Sequence, residues 1–379
     1  MDSEQLRRVI LRIVTSLMNL IIGPSGAWYA LGMKGILIYI SLTTITKFIS
    51  AEIFSFNEKI SKFGYRISPI FLLLAGFIPL LLSDWYAFVI IIPILLGAYV
   101  GTFWTAFHGI RKLKKVTNER KSVRLFQYYE IASTISAASI VLILKYIELS
   151  HFAGYIGASL AFIALIIPLD IKGENIGFST NDLSSKKAIL ARLTTGSFGI
   201  IGFSLLWCMR ITALKFAGIS GIAAMVAISS TIGFIVSEIN ERKLKPRNAD
   251  EMNWKIGNYL QISGIIVMII SLFLYMEIFI LLGYLITRAG TSGILHPLEV
   301  RISGELLSGD EKSIGLRERI KFRNQVKILM FYMIFNLPII YILGEINIQF
   351  SVGLALITCL SYSVLNLETF NKLRMQQLV

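Results

Sequence analysis

Between Arg66 and Arg111 the chain runs for 44 residues with Asp84 as its sole Asp, Glu, Lys or Arg. No soluble element keeps so long a stretch from water, but the length suffices for two membrane crossings of about 20 residues each. Composition extends the argument to the rest of the chain. Apolar residues make up 55% of the 379 positions, charged residues 16%, and mean hydropathy is +0.69. A soluble domain carries about a quarter of its residues as charges. The sequence therefore describes an all-α polytopic membrane protein.

Several classes fall away at once. Cys208 and Cys359 lie in separate apolar runs with no CxxC pattern, which speaks against a disulfide framework, a zinc finger or an iron–sulfur cluster. The three histidines, His108, His151 and His296, show no ligand spacing, so neither a metal nor a cofactor is expected. No GxxxxGK[ST] loop occurs, and the chain carries no ATP motor of its own. The opening MDSEQLRRVILRIV lacks a small-residue cleavage site and reads as the first span, not a removable signal.

Hydropathy places spans near 9–33, 35–56, 67–83, 85–107, 125–146 and 152–169, then near 188–209, 213–238, 255–275, 277–298, 325–343 and 348–367. With the first residues counted inside, 31 of the 37 Lys and Arg fall in the N-terminal stretch, the even-numbered loops and the C-terminal tail. Lys34, Lys145, Arg210 and Lys215 lie on the other side, and Lys47 and Arg288 sit within spans. This positive-inside bias puts both termini in the cytoplasm of a cell-membrane protein. The net charge of +14 is then a matter of orientation, and no nucleic-acid partner is expected.

A polar segment, DIKGENIGFSTNDLSSKK, divides the spans into two sets of six. The expected organisation is an N-terminal bundle at 1–169, a cytoplasmic linker at 170–187 and a C-terminal bundle at 188–379. The halves echo one another. Long basic loops enter spans five and eleven through the cationic stretches 119–131 and 316–328. The loops after spans two and eight begin with EKISK and EINERK.

At these loops the chain resembles the major facilitator superfamily, whose signature there is G-x-x-x-D-R-x-G-R-[KR]. Glu238 stands at the Asp position, and Arg242 and Lys243 match the final basic pair, while Glu241 replaces the Gly. In the first half Glu58, Lys59 and Lys62 match the Asp and two Arg positions. The resemblance implies alternating access of the two six-helix halves around a central cavity. It also implies that these acidic and basic residues latch the inner gate.

Substrate-binding candidates follow from interruptions and from ionisable groups at depth. Gly23, Pro24, Ser25 and Gly26 break the pattern of span one, and Thr194 and Thr195 with nearby glycines do so in span seven. Arg288 is central in span ten and Lys47 central in span two, with no carboxylate at that depth. A central cation points to a small solute with an anionic group. Trp104 in span four is the aromatic residue least well explained as a membrane-interface anchor. His108 and His296 close spans four and ten, and stripes of small residues in spans five and eight fit close helix packing.

The function expected is secondary active transport, with no enzyme activity and with a coupling ion left open. A lipid or glycan flippase is the alternative. A membrane-embedded lipid enzyme and a non-transporting relative stand behind it.

Overall fold

The computed structural model describes residues 3–55, 58–81, 87–113, 119–144, 149–167, 218, 220–239 and 249–299, with short pieces between 322 and 367. Every regular element among them is helical, as a backbone in hydrocarbon requires, because only internal pairing satisfies its polar groups. The chain forms two compact units. Unit 1 comprises Met1–Asn181, Ala213–Ala227 and Gly309–Arg323; unit 2 comprises Asp182–Thr212, Ile228–Ser308 and Asn324–Val379. The expected linker at 170–187 lies outside the described residues.

In unit 1, α1 (Ser3–Thr15) continues through a π-helical stretch, Ser16–Ile22, into α2 (Gly23–Phe54). Helix α2 is two helices joined at Leu31 and Gly32. Gly32 has φ of +58° and ψ of −136°, a conformation that favours glycine, and here the first span turns back into the second. Next come α3 (Glu58–Leu81), α4 (Ile92–Leu113) with a π-helical lead-in at Ala87–Ile91, α5 (Glu119–Leu144) and α6 (Leu149–Ile166). Beyond the linker, α7 (Ser220–Ile239) passes into unit 2, which also holds α8 (Ala249–Phe273) and α9 (Glu277–Gly290). A third π-helical stretch, Thr291–Leu295, prolongs α9. Six helical segments among the described residues are long and apolar enough to cross a membrane.

Each π-helical stretch ends two residues before a proline: Pro24, Pro93 and Pro297. Proline has no N–H to donate, and its ring crowds the carbonyl four residues back. Opening the helix by one residue relieves that crowding without breaking the span. The interruption expected at Gly23-Pro24 thus takes this form. Gly23 keeps helical dihedrals, φ −58° and ψ −52°, and the chain does not unwind there.

Packing is close where side chains are small. A Cβ on Gly97 would stand 2.6 Å from the Thr43 carbonyl oxygen, and one on Gly101 would strike the backbone of Lys47, so α4 lies directly on α2. Ser133 and Ala137 of α5 are fully buried, and the Ser133 hydroxyl reaches the Val9 carbonyl of α1. On α3 the opposite pattern marks the face that suits lipid: Phe63, Ile70, Leu74, Phe77 and Leu81 are all exposed. Hydroxyls inside the helices turn back on their own turns, as when Thr43 donates to Tyr39 and Thr291 to Thr287.

Candidate functional site

Span one was expected from residue 9, with Arg7, Arg8 and Arg12 counted as loop charges. Instead α1 begins at Ser3 and carries all three into unit 1. Arg7 is 2% exposed, and its Nη2 donates to the carbonyls of Tyr65 at 3.2 Å and Arg66 at 3.1 Å. The Tyr65 carbonyl needs such a donor because Pro69, four residues on, supplies no N–H. Ser68 donates to the same oxygen at 3.0 Å. The Arg7 guanidinium also lies 5.5 Å from the centre of the Tyr65 ring.

From Tyr65 a run of aromatic rings continues into α4. Tyr65 stacks on Phe103 at 5.4 Å, Tyr99 on Phe103 at 5.3 Å, and Phe103 meets Trp104 edge to face at 5.3 Å. Spacing of four residues puts Tyr99 and Phe103 on one face of the helix. The Tyr99 hydroxyl meets that of Thr15, near the charges of Arg12 and Arg7. Arg12, half-buried, stands 5.4 Å over the Trp104 ring. Each such cation–ring contact is worth about 0.5–2 kcal/mol, according to how dry it is.

The other first-half candidates are dispersed along α2 and α3. Ser25 is buried, and Gly23 allows close approach to the Tyr39 ring and the Met18 carbonyl, where a Cβ would stand 2.8 Å from each. Pro24 is buried in the opening turn of α2. Lys47 is half-buried in its second limb. Of the proposed gate residues Lys59 is exposed, Lys62 half-buried, and Glu58 opens α3. Thr194, Thr195, Arg242 and Lys243 lie outside the described residues. One ion pair was not foreseen. Arg323 grips Glu52 at the end of α2 with two bonds, Nε to Oε1 at 2.6 Å and Nη2 to Oε2 at 2.9 Å.

In unit 2, Arg288 occupies the last turn of α9, half-buried, and its Nε is buried with no hydrogen-bond partner among the described residues. Close contacts fix its level. Gly264 of α8 meets Thr287, and Gly290 of α9 meets Gly257 and Gln261, so the two backbones touch on either side of residue 288. Gly233 of α7 packs against Ser292, next to the Arg288 carbonyl. On this seam Asn258 donates to the Trp254 carbonyl at 2.8 Å. Gln261 is fully buried, and neither of its amide atoms is bonded among the described residues.

Two further ionisable groups lie at the ends of spans in this part of the chain. Glu238 on α7 is buried, with 9% exposed. Glu299 is fully buried and 3.3 Å from the Nδ1 of His296, which is 30% exposed. Sequence reading passed over Glu299 and Gln261, although a His with a Glu three residues on was a readable helical pair. No group of three metal-binding side chains occurs among the described residues. What the arrangement offers is a fixed positive charge midway along a membrane-length segment in unit 2, and a cation–aromatic cluster in unit 1.

The fold has solved counterparts. The chain is similar to the nucleoside transporter NupG, with a TM-score of 0.63 and 14% identity over 98% of this chain and 99% of that one. A variant of the same transporter gives 0.64 and 15%. It is also similar to the major facilitator superfamily proton:xylose symporter XylE, bound to 6-bromo-6-deoxy-D-glucose. There the TM-score is 0.65 and the identity 14%, over 98% of this chain and 94% of the symporter. No protein-family model matches the sequence, and no curated protein matches it. The chain has the all-α fold of the major facilitator transporters.

Proposed function

We propose that the chain is a secondary active transporter that moves a small solute bearing an anionic group by alternating access of its two halves. The observation that carries this reading is Arg288: a permanent charge midway along the membrane-length segment Ile278–Glu299, with no side-chain hydrogen bond or ion pair among the described residues. An arginine in a low-dielectric setting is expensive unless something neutralises it. A carboxylate or phosphate does so with the geometry that the guanidinium fork suits. When the solute leaves, the charge needs water, which a site open to one side of the membrane supplies. The fold supports the same reading, since its solved counterparts carry nucleosides and xylose.

The remaining candidates are proposed as further solute contacts on each unit by itself. Trp104 beneath Arg12 offers a flat apolar surface for the body of a solute. Lys47 lies on α2, with Gly23, Pro24 and Ser25 on its first limb, and Thr194 and Thr195 are proposed from the sequence of span seven. The inner gate is assigned to Glu238 with Arg242 and Lys243, to Glu58 with Lys59 and Lys62, and to the Glu52–Arg323 pair. The cell membrane is the proposed location, with both termini on the cytoplasmic side, a reading supported by the distribution of Lys and Arg.

Solute uptake into proteoliposomes tests the function itself, and phospholipid scrambling there without solute flux would favour a flippase. Topology has its own check. A single cysteine at Lys34 should react with an impermeant thiol reagent in intact cells, and cysteines at Lys114 and Gly309 should not.

A further inference from the structure

We propose that Tyr29 is the outer gate of the transport path and that Gly218 is the seat on which it closes. This rests on the reading of the chain as an alternating-access transporter, and adds a closure at the end opposite the Glu52–Arg323 pair.

Unit 1 holds more than first-half sequence. It also takes in Ala213–Ala227, which opens span eight, and Gly309–Arg323, which leads into span eleven. Each of these pieces meets a residue of the first half. Arg323 is gripped by Glu52 at the end of α2. Gly218 meets Tyr29. A Cβ on Gly218 would stand 3.2 Å from the Tyr29 hydroxyl, and nothing else outside its own turn of chain lies within 4 Å among the described residues. By the order of the spans, Tyr29 and Gly218 belong to one end of the membrane crossing, and Glu52 and Arg323 to the other.

The local structure suits a lid and its seat. Tyr29 lies on the first limb of α2, just before the break at Leu31 and Gly32, and is 62% exposed. Gly218 has φ of +58°, where glycine is favoured, and its missing Cβ leaves room for the hydroxyl. Deeper in the span both helices are closed. Ser25, one turn below Tyr29 on the same face, is 1% exposed, and Ile222, four residues into the span from Gly218, is fully buried. The contact therefore sits at the rim of a closed layer.

Halves that rock about a central site part at one end while they meet at the other. A contact between first-half and second-half residues at the end of their spans is one that such a cycle has to break. The residue that makes it must rest as well in water as against protein. Tyrosine does both, because its ring packs while its hydroxyl stays solvated. Only two side-chain torsions need ordering each time it closes.

Thiol labelling of the purified full-length protein tests this, in a background of Cys208→Ser and Cys359→Ala. Ile222→Cys and Ser25→Cys report on the layer beneath the contact, and Ala161→Cys, fully buried on α6, reports general loosening. Tyr29→Ala should raise the rate at which a hydrophilic maleimide reacts with each of the first two about 3- to 30-fold, the size expected when a closed state loses one packing contact. The rate at Ala161→Cys should not change. In the transport arm, Tyr29→Cys and Gly218→Cys are joined by a short bifunctional thiol reagent. The link should block uptake of radiolabelled glucuronate, glucose 6-phosphate and phosphate into proteoliposomes, and reduction should restore it. Unchanged labelling of both reporters in Tyr29→Ala overturns the proposal, as does a matching rise at Ala161→Cys or failure of the cysteine pair to cross-link. A cross-linked protein that still takes up solute overturns the gate and leaves the transport reading in place. Raised labelling as expected, with no uptake of any of the three by wild type, keeps the gate and removes the anionic-solute reading.

Discussion

Arg7 in unit 1 and Arg288 in unit 2 are both arginines within apolar helices, and their surroundings differ. Arg7 is almost fully buried and donates to two carbonyls, one of them deprived of its helical donor by Pro69. The Nε of each is buried without a hydrogen-bond partner among the described residues, so the difference lies in the rest of the fork: Arg288 is half-buried and makes no side-chain hydrogen bond there at all. Depth in the membrane thus does not separate a structural cation from a functional one; an inventory of partners does. Arg7 completes the α1–α3 packing, whereas Arg288 is proposed to meet a ligand that comes and goes.

Exchange of treatments between the two sites gives the sharpest contrast. Arg288→Gln should lower substrate affinity about 30- to 1000-fold, the equivalent of roughly 2–4 kcal/mol for a charged contact in a dry site. Its ligand-free melting temperature should stay near wild type. Arg288→Lys keeps the charge but not the fork, so a smaller defect is expected. Arg7→Met should do the reverse. It removes the bonds to the Tyr65 and Arg66 carbonyls, leaving Ser68 as the side-chain donor to Tyr65, and should lower stability by about 1–3 kcal/mol in thermal unfolding, with affinity retained in the folded fraction. A stable Arg7→Met protein that has lost its ligand would exchange the two roles.

The Arg12–Trp104 pair tests where the boundary between these roles runs. It shares the aromatic cluster with Arg7, yet Arg12 is half-buried as Arg288 is. As a solute contact, Trp104→Leu should weaken binding about 3- to 10-fold, in line with one lost ring contact. If melting temperature alone falls, Trp104 belongs with Arg7. The smallest effect is expected at Glu52–Arg323. Both side chains are partly exposed, 22% and 50%, and a double-mutant cycle should give a coupling of about 0.5–1 kcal/mol. That coupling should shrink at about 1 M salt, where charges are screened within a few ångströms.

Much of the helical order was legible, because in hydrocarbon the only way to satisfy the backbone leaves long apolar runs as its trace. Spans two, nine and ten were placed near 35–56, 255–275 and 277–298, and the matching segments are Lys34–Phe54, Glu251–Phe273 and Ile278–Glu299. Span one, placed near 9–33, corresponds to Leu6–Gly32, and what went unread is that Arg7, Arg8 and Arg12, counted with the loop charges, belong to its helix. What holds Arg7 is a carbonyl 58 residues away, freed by a proline on another helix. No local pattern carries that. The Glu52–Arg323 pair, 271 residues apart, was hidden for the same reason. The depth of Arg288 was readable, but its unpartnered Nε was not, since pairing depends on three-dimensional neighbours. Gln261 could have been noticed as an uncharged amide in the middle of an apolar span. Its unpaired state comes from the glycines on both sides of the seam, which only the packing of α8 on α9 reveals.

The central claim is that Arg288 binds the anionic group of a transported solute. Its most direct test is uptake of radiolabelled glucuronate, glucose 6-phosphate and phosphate into proteoliposomes holding matched amounts of wild type and Arg288→Gln. The account predicts that wild type takes up at least one of these anions and that Arg288→Gln, equally folded and equally inserted, takes up none above empty vesicles. Wild-type rates in Arg288→Gln would contradict it.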